Sequence, residues 1–194
     1  MMYHELLRDA SFWQFLFSID QDLAQTARQH ACPCGGRLHC ANYPRKPRGV
    51  EQLPEHYGRR LSFCCDREGC RKRVTPPSVR FLGRKVFLGA VVVLVSAMRQ
   101  GPNPRRVREL ADLFGADRRT IARWQVWWRD QFQQTPFWKV ARGKLRPATE
   151  VVALPLWLLK SFVHNDGSQE DWGRLLRFLS PITTTGGLSS EVSR

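Results

Sequence analysis

Two tight clusters of cysteine constrain this chain more than any other feature. The first reads His30-Ala31-Cys32-Pro33-Cys34-Gly35-Gly36, with His39 and Cys40 just beyond. The second reads Phe63-Cys64-Cys65-Asp66-Arg67-Glu68-Gly69-Cys70. Residues 32–75 lack helical period, are rich in Cys, Gly, Pro and Arg, and are too short to bury a core of their own. Two short knuckles joined by a hairpin solve that problem if their thiolates share one tetrahedral ion. Cys65 and Cys70, with Gly69 just before the last sulfur, make a good second knuckle. Cys32 and Cys34 are one residue apart, closer than the common C-x-x-C. The expected ligand set is Cys32, Cys34, Cys65 and Cys70, with His30, His39, Cys40 and Cys64 as substitutes. Four protein ligands leave no open position for water, so one structural Zn²⁺ per chain is expected. The alternative is a set of free thiols, which Gly and Arg neighbours would shelter badly.

Charge is the second constraint. The 194 residues carry 31 basic and 17 acidic side chains, a net +14. Residues 31–148 hold 25 basic against 8 acidic side chains, +17, while both ends are slightly acidic. Such a local imbalance repels itself, and a polyanion relieves it. Most of the excess is Arg, whose planar fork suits phosphate and guanine edges. No secretory signal is visible at the N-terminus. The most apolar run, Val86 to Met98, is too short for a bilayer span of about 20 residues. A cytoplasmic, nucleoid-associated protein without membrane contact is expected, with reduced or metal-bound thiols rather than disulfides.

The third feature is Val107-Arg-Glu-Leu110-Ala111-Asp-Leu113-Phe114-Gly115-Ala-Asp117-Arg118-Arg119-Thr120-Ile121-Ala122-Arg123-Trp124. Leu110, Leu113 and Phe114 predict the buried face of one helix, Gly115 the turn, and Asp117 the cap of the next. Ile121, Trp124, Trp128 and Phe132 continue an apolar spine at spacings of three and four. That arrangement is a helix-turn-helix, and its second helix presents Arg118, Arg119, Thr120 and Arg123 to a major groove. Arg105, Arg106, Arg71, Lys72, Arg73, Arg84 and Lys85 are expected on DNA phosphates, with Arg80 beside them. The Pro44–Gly49 stretch is read equally as a segment along a minor groove or backbone and as a solvated basic loop. Trp124, Trp127 and Trp128 read as core rather than as a stacking platform.

These pieces divide the chain into an N-terminal amphipathic helix (1–29, periodic over 5–28), a zinc ribbon (30–78), a helix-turn-helix (79–134), a C-terminal helical region (135–179) and a disordered tail (180–194). Within 79–134 three helices are expected, near 85–99, 105–114 and 118–132. Thr75-Pro76-Pro77-Ser78 reads as a linker. Helices are expected over 150–163 and 168–179, the latter with Ser168 and Asp171 at capping-box spacing. The fold class is α+β and mostly helical: a small zinc ribbon plus a trihelical helix-turn-helix with flanking helices.

The Cys-Pro-Cys-Gly-Gly and Cys-Asp-Arg-Glu-Gly-Cys ribbon, followed by Thr-Pro-Pro-Ser and Leu-Ala-Asp-Leu-Phe-Gly-Ala-Asp-Arg-Arg-Thr-Ile-Ala-Arg-Trp, resembles the N-terminal DNA-binding part of bacterial insertion-sequence transposases. It is also similar to short zinc-ribbon/helix-turn-helix proteins linked to mobile elements. The likeness covers roughly residues 30–130. It implies recognition of element ends, with catalysis in a separate ribonuclease-H-like domain that this sequence does not show. The expectation is a sequence-specific double-stranded DNA-binding protein, a transposon-associated accessory factor or regulator, and not an enzyme. The alternatives are a compact transposase or nuclease subunit, for which Glu150, Asp166, Glu170 and Asp171 are the available acids, and a protein adaptor. The terminal helices are expected to meet a second copy or a separate recombination protein.

Overall fold

The computed structural model describes residues 9–45, 54–81, 117–145, 154–163 and 168–184. The first two expected helices of the 79–134 region, with Arg84, Lys85, Arg105 and Arg106, lie outside the described residues, as do Glu150 and Asp166.

The first described element is helix α1, Ala10–Gln29, with Phe12, Trp13, Leu16 and Ile19 on one buried stripe. Asp9 caps it, accepting from the Ser11 amide at 2.8 Å, an anion placed where the helix dipole favours one. Short strands follow: β1 Leu38–Cys40, β2 Tyr43–Pro44, β3 Arg59–Arg60, β4 Phe63–Cys65 and β5 Arg73–Val74. They form two small antiparallel sheets, one ordered β1-β4-β5 and the other pairing β2 with β3.

Helix α2, Arg118–Val126, begins where the sequence places it. The Asp117 carboxylate accepts from the Thr120 amide at 2.7 Å. Beyond it the coil widens to a π-helical turn, Trp127–Gln131, and then tightens over Phe132–Gln134. The Phe132 amide donates to the Trp127 carbonyl five residues back. That spacing seats the Phe132 ring against both tryptophans, 5.4 Å from Trp127 and 4.6 Å from Trp128. A π turn here widens the buried face enough for two consecutive indoles.

Among the described residues three further α-helices follow: α3 Pro136–Ala141, α4 Leu156–Phe162 and α5 Gln169–Leu179. Ser168 caps α5, accepting from the Asp171 amide at 3.2 Å. Gly173 lies where α5 crosses α1; a Cβ there would come within 2.8 Å of the Phe15 ring.

Two expectations change, while the N-terminal helix packs on its neighbours: its first half shares one core with Trp128, Phe132, Trp172, Leu175 and Leu176. Its Ala24 belongs to the small second core under the strands, with Cys32, Leu38, Phe63 and Cys65. The Pro-rich stretch is not a solvated linker, because Pro76, Ser78, Val79, Arg80 and Phe81 are all buried. Two buried donors explain this: the Arg60 guanidinium bonds the Pro76 and Pro77 carbonyls, and Ser78 bonds Asp20. The start of the expected tail is also folded. Ser180–Thr183 forms a 3-10 turn that buries Ile182 completely, and the Thr183 hydroxyl accepts from the Ser78 amide at 2.9 Å. Residues 185–194 lie outside the described residues.

Candidate metal centre

The four expected cysteines converge. The sulfurs of Cys32, Cys34, Cys65 and Cys70 all lie within 4.8 Å of one another, with Cys32 and Cys70 3.7 Å apart and Cys34 and Cys65 3.5 Å apart. Four thiolates about 2.3 Å from a tetrahedral ion sit about 3.8 Å from each other, so this quartet is close to the spacing one metal ion imposes. Among the described residues it is the only group of three or more His, Cys, Asp or Glu side chains so placed.

Each knuckle follows from local chemistry. After α1 the chain turns at Ala31 (φ 53°) and Gly35 (φ 80°), and the Gly35 amide donates to the Cys32 carbonyl at 2.8 Å. That bond closes a tight turn centred on Pro33 and Cys34, and Gly35 then redirects the chain, which is how a single residue between the cysteines suffices. The Gly36 amide then points back at the Cys34 sulfur, 3.4 Å away. On the other side Gly69 (φ 81°) turns the chain so that the Cys70 amide reaches the Arg67 carbonyl at 3.1 Å.

Register selects between the adjacent Cys64 and Cys65. β1 pairs with β4 so that Leu38 faces Cys65 and His39 faces Cys64. Successive side chains alternate across a strand, so Leu38 and Cys65 point into the core while His39 and Cys64 point out. Cys64 bonds the Arg71 carbonyl instead. His39 contacts Asp66 at 3.2 Å, and this contact, followed by the Arg37 amide bond, holds the Asp66 carboxyl below the usual range. His30 and Cys40 are exposed, so none of the four substitutes joins the cluster.

The Gly36 amide, and after it the sulfurs of Cys70, Cys32 and Cys65, hold the Cys34 thiol down at about 6. Cys65 is pushed up to about 12: the Arg67 amide favours its thiolate, but burial and the three neighbouring sulfurs outweigh it. Four sulfurs this close cannot all ionise without a cation among them.

Gly36 is a requirement that spacing alone does not reveal. A Cβ at this position would lie 2.5 Å from the Cys65 sulfur and 3.0 Å from the Arg67 Cβ. Gly36→Ala is expected to lower metal affinity about 10–100-fold by displacing the knuckle. Zinc titration against a chromophoric chelator measures this; unchanged affinity would show that the knuckle bends aside freely.

The basic residues divide. On α2, Arg118, Arg119 and Arg123 are exposed. Thr120 is not: it is buried beside Ile121 and Trp124, and its hydroxyl accepts from the Arg123 guanidinium at 2.9 Å. Arg71, Lys72 and Arg73 are exposed on the ribbon, although Arg73 also bonds the Ala41 carbonyl at 2.9 Å. Arg80 faces the interior and pairs with Asp20 at 2.8 Å, which removes it from any phosphate-contacting set. The sequence signal for that pair is an acid inside the apolar stripe of α1, after Leu16 and Ile19. Trp124 of α2 and Trp127 and Trp128 of the π turn are core, as expected.

No helix among the described residues is long and apolar enough to cross a membrane. Comparison with protein-family models, with curated proteins and with solved structures finds no match to this chain.

Proposed function

We propose that this chain is a zinc-stapled, sequence-specific double-stranded DNA-binding protein that binds without cutting, serving as an accessory factor or regulator of a mobile element. The observation that carries the reading is α2: an Asp-capped helix with a tryptophan-backed inner face and Arg118, Arg119 and Arg123 on its outer face. A rigid helix presenting guanidiniums at its leading end suits bidentate contact with guanine edges. Thr120 leaves the set of base readers and supports Arg123 instead. Arg71, Lys72 and Arg73 offer a second cationic edge for phosphate. Zinc in the cysteine quartet would be structural, holding the ribbon's shape and activating no water. The transposon link rests on the sequence resemblance.

Binding-site selection from random duplexes, followed by titration with variants, tests the reading. Arg119→Ala and Arg123→Ala are expected to cost about 1–3 kcal/mol each on the selected site and to relax specificity there. Lys72→Ala should weaken all duplexes alike and flatten the salt dependence. Full affinity and specificity in the α2 variants would remove α2 from the interface. Incubation of the selected duplex with Mg²⁺ or Mn²⁺ should leave it intact; nicking or strand transfer would favour the compact-transposase reading.

A further inference from the structure

The metal quartet and the DNA-facing helix stand on different cores, and one buried ion pair lies between them. Asp20 on α1 and Arg80 after the Pro-rich stretch are both essentially inaccessible to solvent. The Asp20 carboxylate accepts from the Ser78 hydroxyl at 2.6 Å, the Val79 amide at 2.7 Å and the Arg80 Nε at 2.8 Å. The remaining guanidinium nitrogens of Arg80 donate to backbone carbonyls of the ribbon, at Tyr57 and, 3.0 Å away, at Arg59. Its plane lies over the Phe17 ring of α1, 4.7 Å from the centroid.

Arg80 therefore needs the ribbon. Tyr57 lies in the 3-10 turn Glu55–Gly58 and Arg59 begins β3, whose chain continues into β4 and Cys65. If the ribbon loses its shape, the guanidinium keeps its buried carboxylate but loses the carbonyls that satisfy its other nitrogens. A buried charge with missing partners is costly.

We propose that Asp20 and Arg80 are positioning residues that couple metal occupancy of the cysteine quartet to the stability and placement of the helical body, and so of the α2 arginines. This rests on the metal reading above. The pair makes α1 and the ribbon one joint: metal sets the ribbon, the ribbon carbonyls set Arg80, and Arg80 with Asp20 sets the body.

The residue distribution supplies the test. All seven tryptophans, at 13, 124, 127, 128, 138, 157 and 172, belong to the helical body, and all six cysteines to the ribbon. Trp emission of the full chain thus follows the body while metal analysis follows the ribbon. In the wild type, removing zinc with a chelator should lower the Trp-monitored thermal midpoint by about 5–10 °C. Asp20→Asn should keep one zinc per chain, yet its midpoint should be the same with and without zinc. Leu158→Val, a change at a fully buried core residue of α4, should lower both midpoints and leave the zinc-dependent difference intact. If Asp20→Asn does not fold, Ser78→Ala decides, because removing one donor to Asp20 should about halve that difference. A zinc-loaded wild type whose Trp midpoint ignores chelation would overturn the coupling while sparing the metal centre, as would an Asp20→Asn or Ser78→Ala variant that keeps the full difference. A folded chain that takes up no zinc overturns the metal centre and the coupling together.

Discussion

Cys65→Ser protein is expected to purify without zinc and with its ribbon unfolded. Cys65 is fully buried, its sulfur lies 3.5 Å from that of Cys34, and it contributes to the floor of the small core as well as to the quartet. That core has five buried members, Ala24, Cys32, Leu38, Phe63 and Cys65, of which two are the proposed ligands. Without an ion there is too little apolar surface to hold the strands, and the metal's binding energy is folding energy. Structural zinc sites of this kind are worth about 10–16 kcal/mol in apparent terms at neutral pH. A hydroxyl is a poor substitute for a thiolate, so most of that contribution should vanish. Metal analysis together with far-ultraviolet circular dichroism measures the outcome. A Ser variant that is metal-free yet keeps the native strand signal would mean that hydrogen bonds alone, such as Cys65 amide to Lys72 carbonyl at 3.0 Å, hold the hairpin. The neighbouring Cys64→Ser should retain zinc, since that side chain faces away.

The second large effect belongs to the body. Trp128 is completely buried, with the Trp127 ring 4.9 Å and the Phe132 ring 4.6 Å away. Trp128→Ala should cost about 3–5 kcal/mol, from lost transfer energy and from a cavity that the π turn is poorly able to close. Against a total of about 5–15 kcal/mol for a domain, that loss is enough to populate unfolded chains. The denaturant midpoint should fall accordingly, with Asp117 still able to cap α2. A loss below about 1 kcal/mol would imply that the helix rewinds into regular α geometry and refills the space.

What could be read from residues alone was local chemistry. Asp117 before a run of helix formers, Ser168 three residues ahead of Asp171, and glycines beside paired cysteines each act over a few positions, and each acts in the structure as their spacing implies. Cys65 over Cys64 was read from spacing too, but its cause is the pairing of β1 with β4, which no local rule contains. Thr120 looks like an outward-facing polar residue, but it stands one turn before Trp124 and shares the buried face of α2. The Asp20–Arg80 pair joins positions 60 residues apart, and Arg80 therefore read as one more surface cation. The membership of the two cores is illegible for a related reason: a charge boundary near residue 30 is real, yet charge follows the surface, whereas the division of the core follows contacts. The tail read as disordered by composition, but Ile182 has a place waiting under α5.

The double allegiance of α1 bears on how this molecule can be taken apart. One stretch of helix lends Phe12 to Ile19 to the tryptophan-rich half and Ala24 to the cysteine-rich half. A fragment beginning at His30 would carry both a ribbon with an open floor and a body missing its wall. The residue-30 boundary marks a change in chemistry, not a place to cut. Grafting another ribbon onto this scaffold would succeed only if the donor brought strands shaped to the far end of α1, so recombination could exchange the two halves only along with the helix they share.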